Sequence, residues 1–222
     1  SFPMNILSLF KCRVKKFACA KKTELNRATL RKNKKERKSM KICVYGASSN
    51  DIDQAYFDAA YALGKYMAEK KIDLVFGGGD TGIMGAVYRG EKDNKGVTIG
   101  VAPRFFDEPG ILAKECTQFI YTNTMRERKQ KMDDLADAFI MAPGGIGTYE
   151  EFFEILTLKQ LKQTKKPFVI LNTKGYYDSL ISLLNSTIEH KFMSEEVMDL
   201  VTIVNDPLFA IEQIEAQLKK GQ

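Results

Sequence analysis

Pro143-Gly144-Gly145-Ile146-Gly147-Thr148-Tyr149-Glu150-Glu151 lies between two apolar runs of different period. Before it, Ala138-Phe139-Ile140-Met141-Ala142 is continuously apolar, the pattern of a strand buried on both faces. After it, Phe152, Phe153, Ile155, Leu156 and Leu158 recur at helical spacing. The glycines therefore sit where a parallel strand turns into a helix. Unbonded amides and the positive end of the helix dipole meet there and make a site for an anion. Glycine lets the chain approach that anion closely, and Thr148 serves either as N-cap or as a hydroxyl donor to a phosphate oxygen. Glu150 and Glu151 add two carboxylates in the first turn. A carboxylate repels a bound phosphate, so at least one of them has another task. The competing reading is a plain turn whose glutamates favour the helix dipole; three glycines, a threonine and paired acids weigh against it.

Outward from this stretch, the chain after Met40 alternates strand-like and helix-like runs. Strands are predicted at Lys41 to Tyr45, Asp73 to Phe76, Val97 to Ala102, Gln118 to Thr122, Ala138 to Met141, Phe168 to Leu171 and Thr202 to Val204. Helices are predicted over Asp53 to Lys70, Gly82 to Glu91, Met125 to Ala136, the glycine stretch to about Leu161, Tyr176 to Lys191, and Pro207 to Lys219. Apolar strands separated by helices indicate one α/β domain, residues 40–222, with a Rossmann-like doubly wound parallel sheet covered by helices on both faces. The Gly-rich turns all follow strands, so they gather at the carboxyl edge of the sheet, where such folds bind ligands.

Composition narrows the function classes. At 222 residues and 44% hydrophobic, the chain can bury one good core. The net charge of +6 is unevenly spread: residues 1–40 carry 13 Lys or Arg against Glu24 and Glu36, leaving the rest at −5. The body is thus mildly acidic, which argues against nucleic-acid binding by it. Residues 1–39 read as a basic, disordered leader with Met40 as a possible working start; an amphipathic targeting segment is the alternative. No stretch approaches the roughly 18 apolar residues of a membrane span. Cys12, Cys19, Cys43 and Cys116 show neither CxxC nor zinc spacing, which points to a reducing cytoplasm. A single histidine, His190, rules against a Ser-His-Asp triad or a multi-histidine metal site, and its context is that of a helix end.

Gly77-x-Gly79-x-x-Gly82 formally fits the dinucleotide fingerprint. That fingerprint also requires an acid at the tip of the next strand, and Gly100-Val101-Ala102-Pro103-Arg104 has none. Asp107 and Glu108 come later, in a loop. The nicotinamide-enzyme reading is therefore set aside, and close helix–strand packing is the plain alternative for these glycines.

Three segments together resemble one family. Residues 143–151 match the PGGxGTxxE pattern of the LOG proteins, the cytokinin-activating phosphoribohydrolases often labelled lysine decarboxylases. Met125-Arg126-Glu127-Arg128-Lys129-Gln130-Lys131-Met132 resembles their MxxRKxxM segment. Gly77 to Gly85 resembles their GGGxxGLMG turn, with Ile83 in place of leucine. The likeness covers about residues 40 to 205. It implies hydrolysis of the N-glycosidic bond of an adenosine 5′-monophosphate, commonly N6-modified, by a homodimer with no metal or organic cofactor. By matching position it assigns Arg128 and Glu151 as the catalytic pair and Gly144, Gly145, Gly147 and Thr148 as the phosphate cradle.

That chemistry suits these residue types. Breaking the bond passes through an oxocarbenium-like sugar, which a carboxylate can stabilise, attack, or serve by activating water. Glu151 and Glu150 stand roughly 100° apart around a helix, so they cannot share one direction; the resemblance, not the spacing, selects Glu151. Arg128 remains charged and can hold a carboxylate, although a salt-bridged solvated face is the ordinary reading of such a basic run. With Gly78, Gly79 forms one wall of the nucleotide pocket. Asp80, Thr81 and Ser48 are candidate ribose contacts, and Met125, Lys129, Phe105 and Tyr149 are weaker candidates for the substrate. The rival readings are a non-catalytic nucleotide-binding module, a nucleosidase for plain purine monophosphates, and a pyridoxal-phosphate decarboxylase, for which no lysine stands out.

Overall fold

The computed structural model describes residues 39–220. The expectations placed on the basic leader, Cys12 and Cys19 fall outside them. Seven strands are present in this part: β1 (Lys41–Tyr45), β2 (Asp73–Phe76), β3 (Thr98–Pro103), β4 (Gln118–Thr122), β5 (Ala138–Met141), β6 (Phe168–Leu171) and β7 (Thr202–Val204). Between and after them run α1 (Gln54–Lys70), α2 (Gly82–Asp93), α3 (Met125–Leu135), α4 (Ile146–Gln160), α5 (Asp178–Glu189) and α6 (Pro207–Lys220). Every strand pair is parallel, in the order β4-β3-β2-β1-β5-β6-β7. The chain winds outward from β1 to β4, then returns to place β5 on the other side of β1. The connections after β1 and β5 diverge at that switch, which opens the crevice where doubly wound sheets bind ligands.

Strand alternation splits the core into two layers. Ile42, Val44, Leu74, Phe76 and Ile140 face Leu63, Met67, Ile83, Val87 and Ile211 of α1, α2 and α6. Cys43, Tyr45, Val75, Phe139 and Met141 face Met132, Phe152, Ile155 and Leu180 of α3, α4 and α5. Each large apolar side chain so buried contributes about 1.5–3 kcal/mol. Helices α1 and α2 approach unusually closely. A Cβ at Gly64 would lie 2.0 Å from the Val87 carbonyl oxygen, and one at Gly90 would lie 2.2 Å from that of Tyr61.

Local chemistry sets the helix ends. Asp53 caps α1 by accepting the Ala55 amide at 2.9 Å. Thr124 caps α3 by accepting the Glu127 amide at 3.1 Å, while Glu127 reaches back to the Asn123 amide at 2.8 Å. This reciprocal cap anchors the turn that carries Arg128. Helix α5 starts two residues later than its apolar period predicts, because Thr173–Gly175 form a 3₁₀ turn and Asn172 Oδ1 takes the Tyr177 amide at 2.7 Å. It ends at Glu189 with His190 as cap, as the sequence implied. Cys43 is fully buried among apolar side chains, the role expected of it. No helix among the described residues is long and apolar enough to cross a membrane.

One buried acid departs from the apolar pattern. Glu91 of α2 is fully enclosed, in space left by Gly96, and its oxygens close no hydrogen bond of regular geometry. Burial raises its pKa from 4.5 to about 8, with the Val97 amide opposing only in part. The unfolded chain therefore releases this proton near 4.5 and the fold near 8. Between those values the fold holds the extra proton, so stability falls as pH rises through the window and levels off above it. Glu91→Gln is expected to melt with the native protein at pH 4.5. At pH 8.5 it is expected to melt about 5 °C or more higher, as read by circular dichroism.

Candidate active site

Arg128 and Glu151 come from different helices, α3 and α4, and meet beside the carboxyl ends of β2 and β3. Arg128 Nη1 donates to Glu151 Oε1 at 3.0 Å, and Arg128 Nε donates to the Val101 carbonyl at 3.2 Å. Both residues are only 8% exposed. The guanidinium fits because residue 77 is glycine: a Cβ there would lie 2.1 Å from Arg128 Nη2. Arg128 is thus held by the Val101 carbonyl of β3 and packed against the Gly77 backbone just past β2, leaving its charge directed at one carboxylate. Burial drives the Glu151 pKa up, the Arg128 charge draws it back, and the balance lies at about 7. A carboxyl poised there can exchange a proton at neutral pH.

Glu150, one residue earlier, points outward. It pairs with Lys129, which also holds Glu154 at 2.7 Å. The two glutamates thus differ as the helical angle requires, and the tertiary packing buries the second. Lys129 lies in this outer pair network and not against Glu151. A cavity of about 30 Å³ separates α3 from α4 behind Glu151, bordered by Tyr45, Lys129, Asp133 and Ile155. It has room for little more than a water molecule or two.

The loop edge carries the glycine stretch. Gly145 occupies the N-cap position of α4 with φ −95° and ψ −151°, and Thr148 stands inside the first turn. Thr148 is therefore not the N-cap, one of the two roles its sequence position suggested, because the helix has already begun at Ile146. Its hydroxyl is buried and packs into the place a Gly144 Cβ would take, 2.2 Å away. Gly145 and Gly147 face open space, with nothing within 4 Å of a Cβ built at either position. The first amides of α4 lack intrahelical acceptors and point into this space.

The remaining candidates lie in the turns after β1, β2 and β3, at the start of α3 and in the first turn of α4. Thr81 Oγ1 donates to the Ser48 carbonyl at 2.8 Å, joining the first two turns. Asn50, which the sequence did not single out, accepts the Gly82 amide at 2.8 Å and strengthens that joint. Asp80 turns to Arg89, which reaches its carboxylate at 3.2 Å and its carbonyl at 2.9 Å. Gly79 is buried and bridges Leu112. Gly78 and Gly82 have φ of 77° and 62°, a turn that glycine accommodates without strain. Met125, 39% exposed, begins α3, and Phe105, 57% exposed, stacks edge-on against Phe106. Tyr149 is half-buried, edge-on to Tyr177.

Sequence comparison identifies relatives of the whole fold. A family model described as "Possible lysine decarboxylase" matches residues 84–214. The cytokinin riboside 5′-monophosphate phosphoribohydrolase LOG2 of Arabidopsis thaliana is 38% identical over 154 residues, covering 69% of this chain and 72% of that protein. The rice enzyme of the same description, LOG from Oryza sativa subsp. japonica, is 38% identical over 161 residues, 72% of this chain and 66% of its own. Among solved structures, the molybdenum cofactor binding protein of Rippkaea orientalis superposes with a TM-score of 0.65 at 22% identity, over 82% of this chain and 99% of that one. The Moco carrier protein of Chlamydomonas reinhardtii superposes with a TM-score of 0.63 at 24% identity, with the same coverage. At those identities the structures speak for the fold alone. The sequence relatives reach further: with 38% identity extending over more than two thirds of its length, the chain belongs to the LOG family of phosphoribohydrolases.

Proposed function

We propose that this protein hydrolyses the N-glycosidic bond of an adenosine 5′-monophosphate, N6-modified in the preferred reading, to free base and ribose 5-phosphate. The observation that carries the proposal is the buried Arg128–Glu151 pair at 3.0 Å, one turn along the helix from an exposed glycine cradle. A 5′-phosphate held by the first amides of α4 brings the ribose toward Glu151. As the bond to the base lengthens, positive charge develops on the sugar, and the Glu151 carboxylate stabilises it. Glu151 then either takes a proton from the attacking water or first bonds to C1′ itself. In both routes the hydroxyl of water ends on C1′ and a proton ends on the departing base. Arg128 keeps the carboxylate oriented and favours its ionised form. Ser48 and Thr81 border the same edge and supply polar contacts to the sugar, while Asp80 is turned to Arg89 and Gly79 is buried. No metal or cofactor is part of this scheme.

A homodimer belongs to the same reading. Ile146, 84% exposed, and Phe153, 40% exposed, lie seven residues apart on one face of α4, an apolar surface suited to a second copy. The cytoplasmic setting rests on the cysteine spacing. The test is incubation of purified protein with AMP and with isopentenyladenosine monophosphate, each beside its nucleoside, with free base followed by chromatography. Base is expected from the monophosphates and not from the nucleosides, and the ratio between the two monophosphates ranks the N6 group. Binding of AMP without base release would instead favour a nucleotide-binding module.

A further inference from the structure

The three carbonyls that lead into α4 are each held by a donor from outside that segment, two of them from adjacent tyrosines. Tyr177 Oη donates to the Ala142 carbonyl at 2.7 Å, and Tyr176 Oη donates to the Gly144 carbonyl at 2.9 Å. Between them, the Ala47 amide donates to the Pro143 carbonyl at 3.0 Å. A trans peptide is planar, with its carbonyl and amide pointing in opposite directions. Fixing the Gly144 carbonyl therefore aims the Gly145 amide. The Ala142 carbonyl precedes proline, which has no amide hydrogen, and the buried Gly144 amide faces the Tyr177 hydroxyl. The two tyrosines are themselves fixed. Tyr177 is fully buried, and its amide is held by Asn172, whose side-chain amide in turn donates to Asp178 at 2.8 Å. Tyr176 packs edge-on between Tyr177 and Tyr56, with ring centroids at 4.9 and 5.8 Å.

We infer that Tyr176 is a positioning residue for the 5′-phosphate, its ring braced by Tyr177, and that the Tyr176 hydroxyl sets how strongly the protein demands that phosphate. This deepens the reading under Proposed function and rests on it. Flexible glycines at 144, 145 and 147 would leave the amides to sample many directions. The Tyr176 hydroxyl removes that freedom at the Gly144–Gly145 peptide, without touching ligand or reacting atoms. Tyr176 is half-exposed and its ring contacts survive loss of the hydroxyl, so Tyr176→Phe separates amide orientation from packing. Tyr177→Phe removes a buried bond that aims no ligand-facing amide and serves as the control.

The experiment measures KM and kcat for AMP on the native protein and on Tyr176→Phe, together with inhibition by ribose 5-phosphate. Tyr176→Phe is expected to raise KM and the ribose 5-phosphate inhibition constant together, by about tenfold, the size of one lost hydrogen bond. Its kcat should stay within about twofold and its melting temperature should not change. Tyr177→Phe is expected to lose stability while both constants stay within about twofold. Unchanged constants in Tyr176→Phe, or a fall in kcat at constant KM, would overturn the inference. Calorimetric titration with AMP keeps the two proposals apart. If the native protein binds AMP without turnover, the proposed reaction fails, while weaker binding by Tyr176→Phe still supports the brace. If the native protein binds neither AMP nor ribose 5-phosphate, the brace fails as well.

Discussion

Glu151→Gln is expected to lower kcat for base release by about a thousandfold, while binding of the monophosphate stays within about threefold. The side chain keeps its size, and its amide oxygen can still accept from Arg128 Nη1, which lies 3.0 Å from Oε1 in the native protein. Neither the fold nor the cradle is disturbed. What disappears is the negative charge beneath the developing sugar cation and the capacity to take a proton. The pH profile adds an independent check. With the Glu151 carboxyl at about pH 7, kcat/KM of the native protein should fall tenfold per unit as pH drops below that value, because the protonated group neither stabilises a cation nor accepts a proton. The residual activity of Glu151→Gln should lack this acidic limb. A variant with near-native rates, or one retaining the limb, would remove Glu151 from the mechanism. Glu150→Gln is the matched control: its carboxylate faces outward to Lys129 and should leave the profile in place.

Gly145→Val is expected to abolish phosphate-dependent binding without weakening the fold. A Cβ at this position meets nothing within 4 Å, and the backbone at φ −95° and ψ −151° accepts a β-branched residue. Replacing glycine reduces the freedom of the unfolded chain, which offsets the poorer N-cap that valine makes, so the melting temperature should change little. The same open space is where the 5′-phosphate must approach the first amides of α4. A valine there would deny the phosphate two charge-assisted bonds of about 1.5–3 kcal/mol each, which corresponds to at least a hundredfold loss in affinity for AMP by calorimetry. Undiminished AMP binding would place the phosphate elsewhere. Gly144 offers the contrast. A Cβ there would strike the Thr148 hydroxyl, so Gly144→Ala should lose stability before binding can be judged.

Much of this was legible in the linear chain because it is encoded locally. Continuous apolar runs mark strands buried on both faces, and a 3.6-residue period marks the helices between them. All seven predicted strands form, most with the predicted ends, and the glycine turns collect at the carboxyl edge. The departures have local causes as well. Thr148 loses the N-cap role because the helix begins at Ile146, and α5 starts late because Asn172 holds the Tyr177 amide. His190 at a helix end and Cys43 as a buried small side chain were likewise readable from their neighbours.

Contacts across long sequence separations were not legible, because periodicity records which face of an element is apolar and not which partner it will meet. The choice between Glu150 and Glu151 needed the rotation of α4 against α3, which turns one carboxylate to Lys129 and the other to Arg128. The value of Gly77 as the space for a guanidinium 51 residues away is invisible in a triplet of glycines, each equally able to turn a chain. Nor does anything near Tyr176 and Tyr177 indicate that their hydroxyls hold carbonyls 32 and 35 residues earlier. The order of apolar and polar residues, with the motifs that fix the family, thus specified the parallel sheet and the edge where chemistry collects. The packing of helices on that sheet then selected which of several equivalent-looking groups became buried, paired and aimed, since burial and electrostatic pairing depend on distances that exist only once the layers have closed.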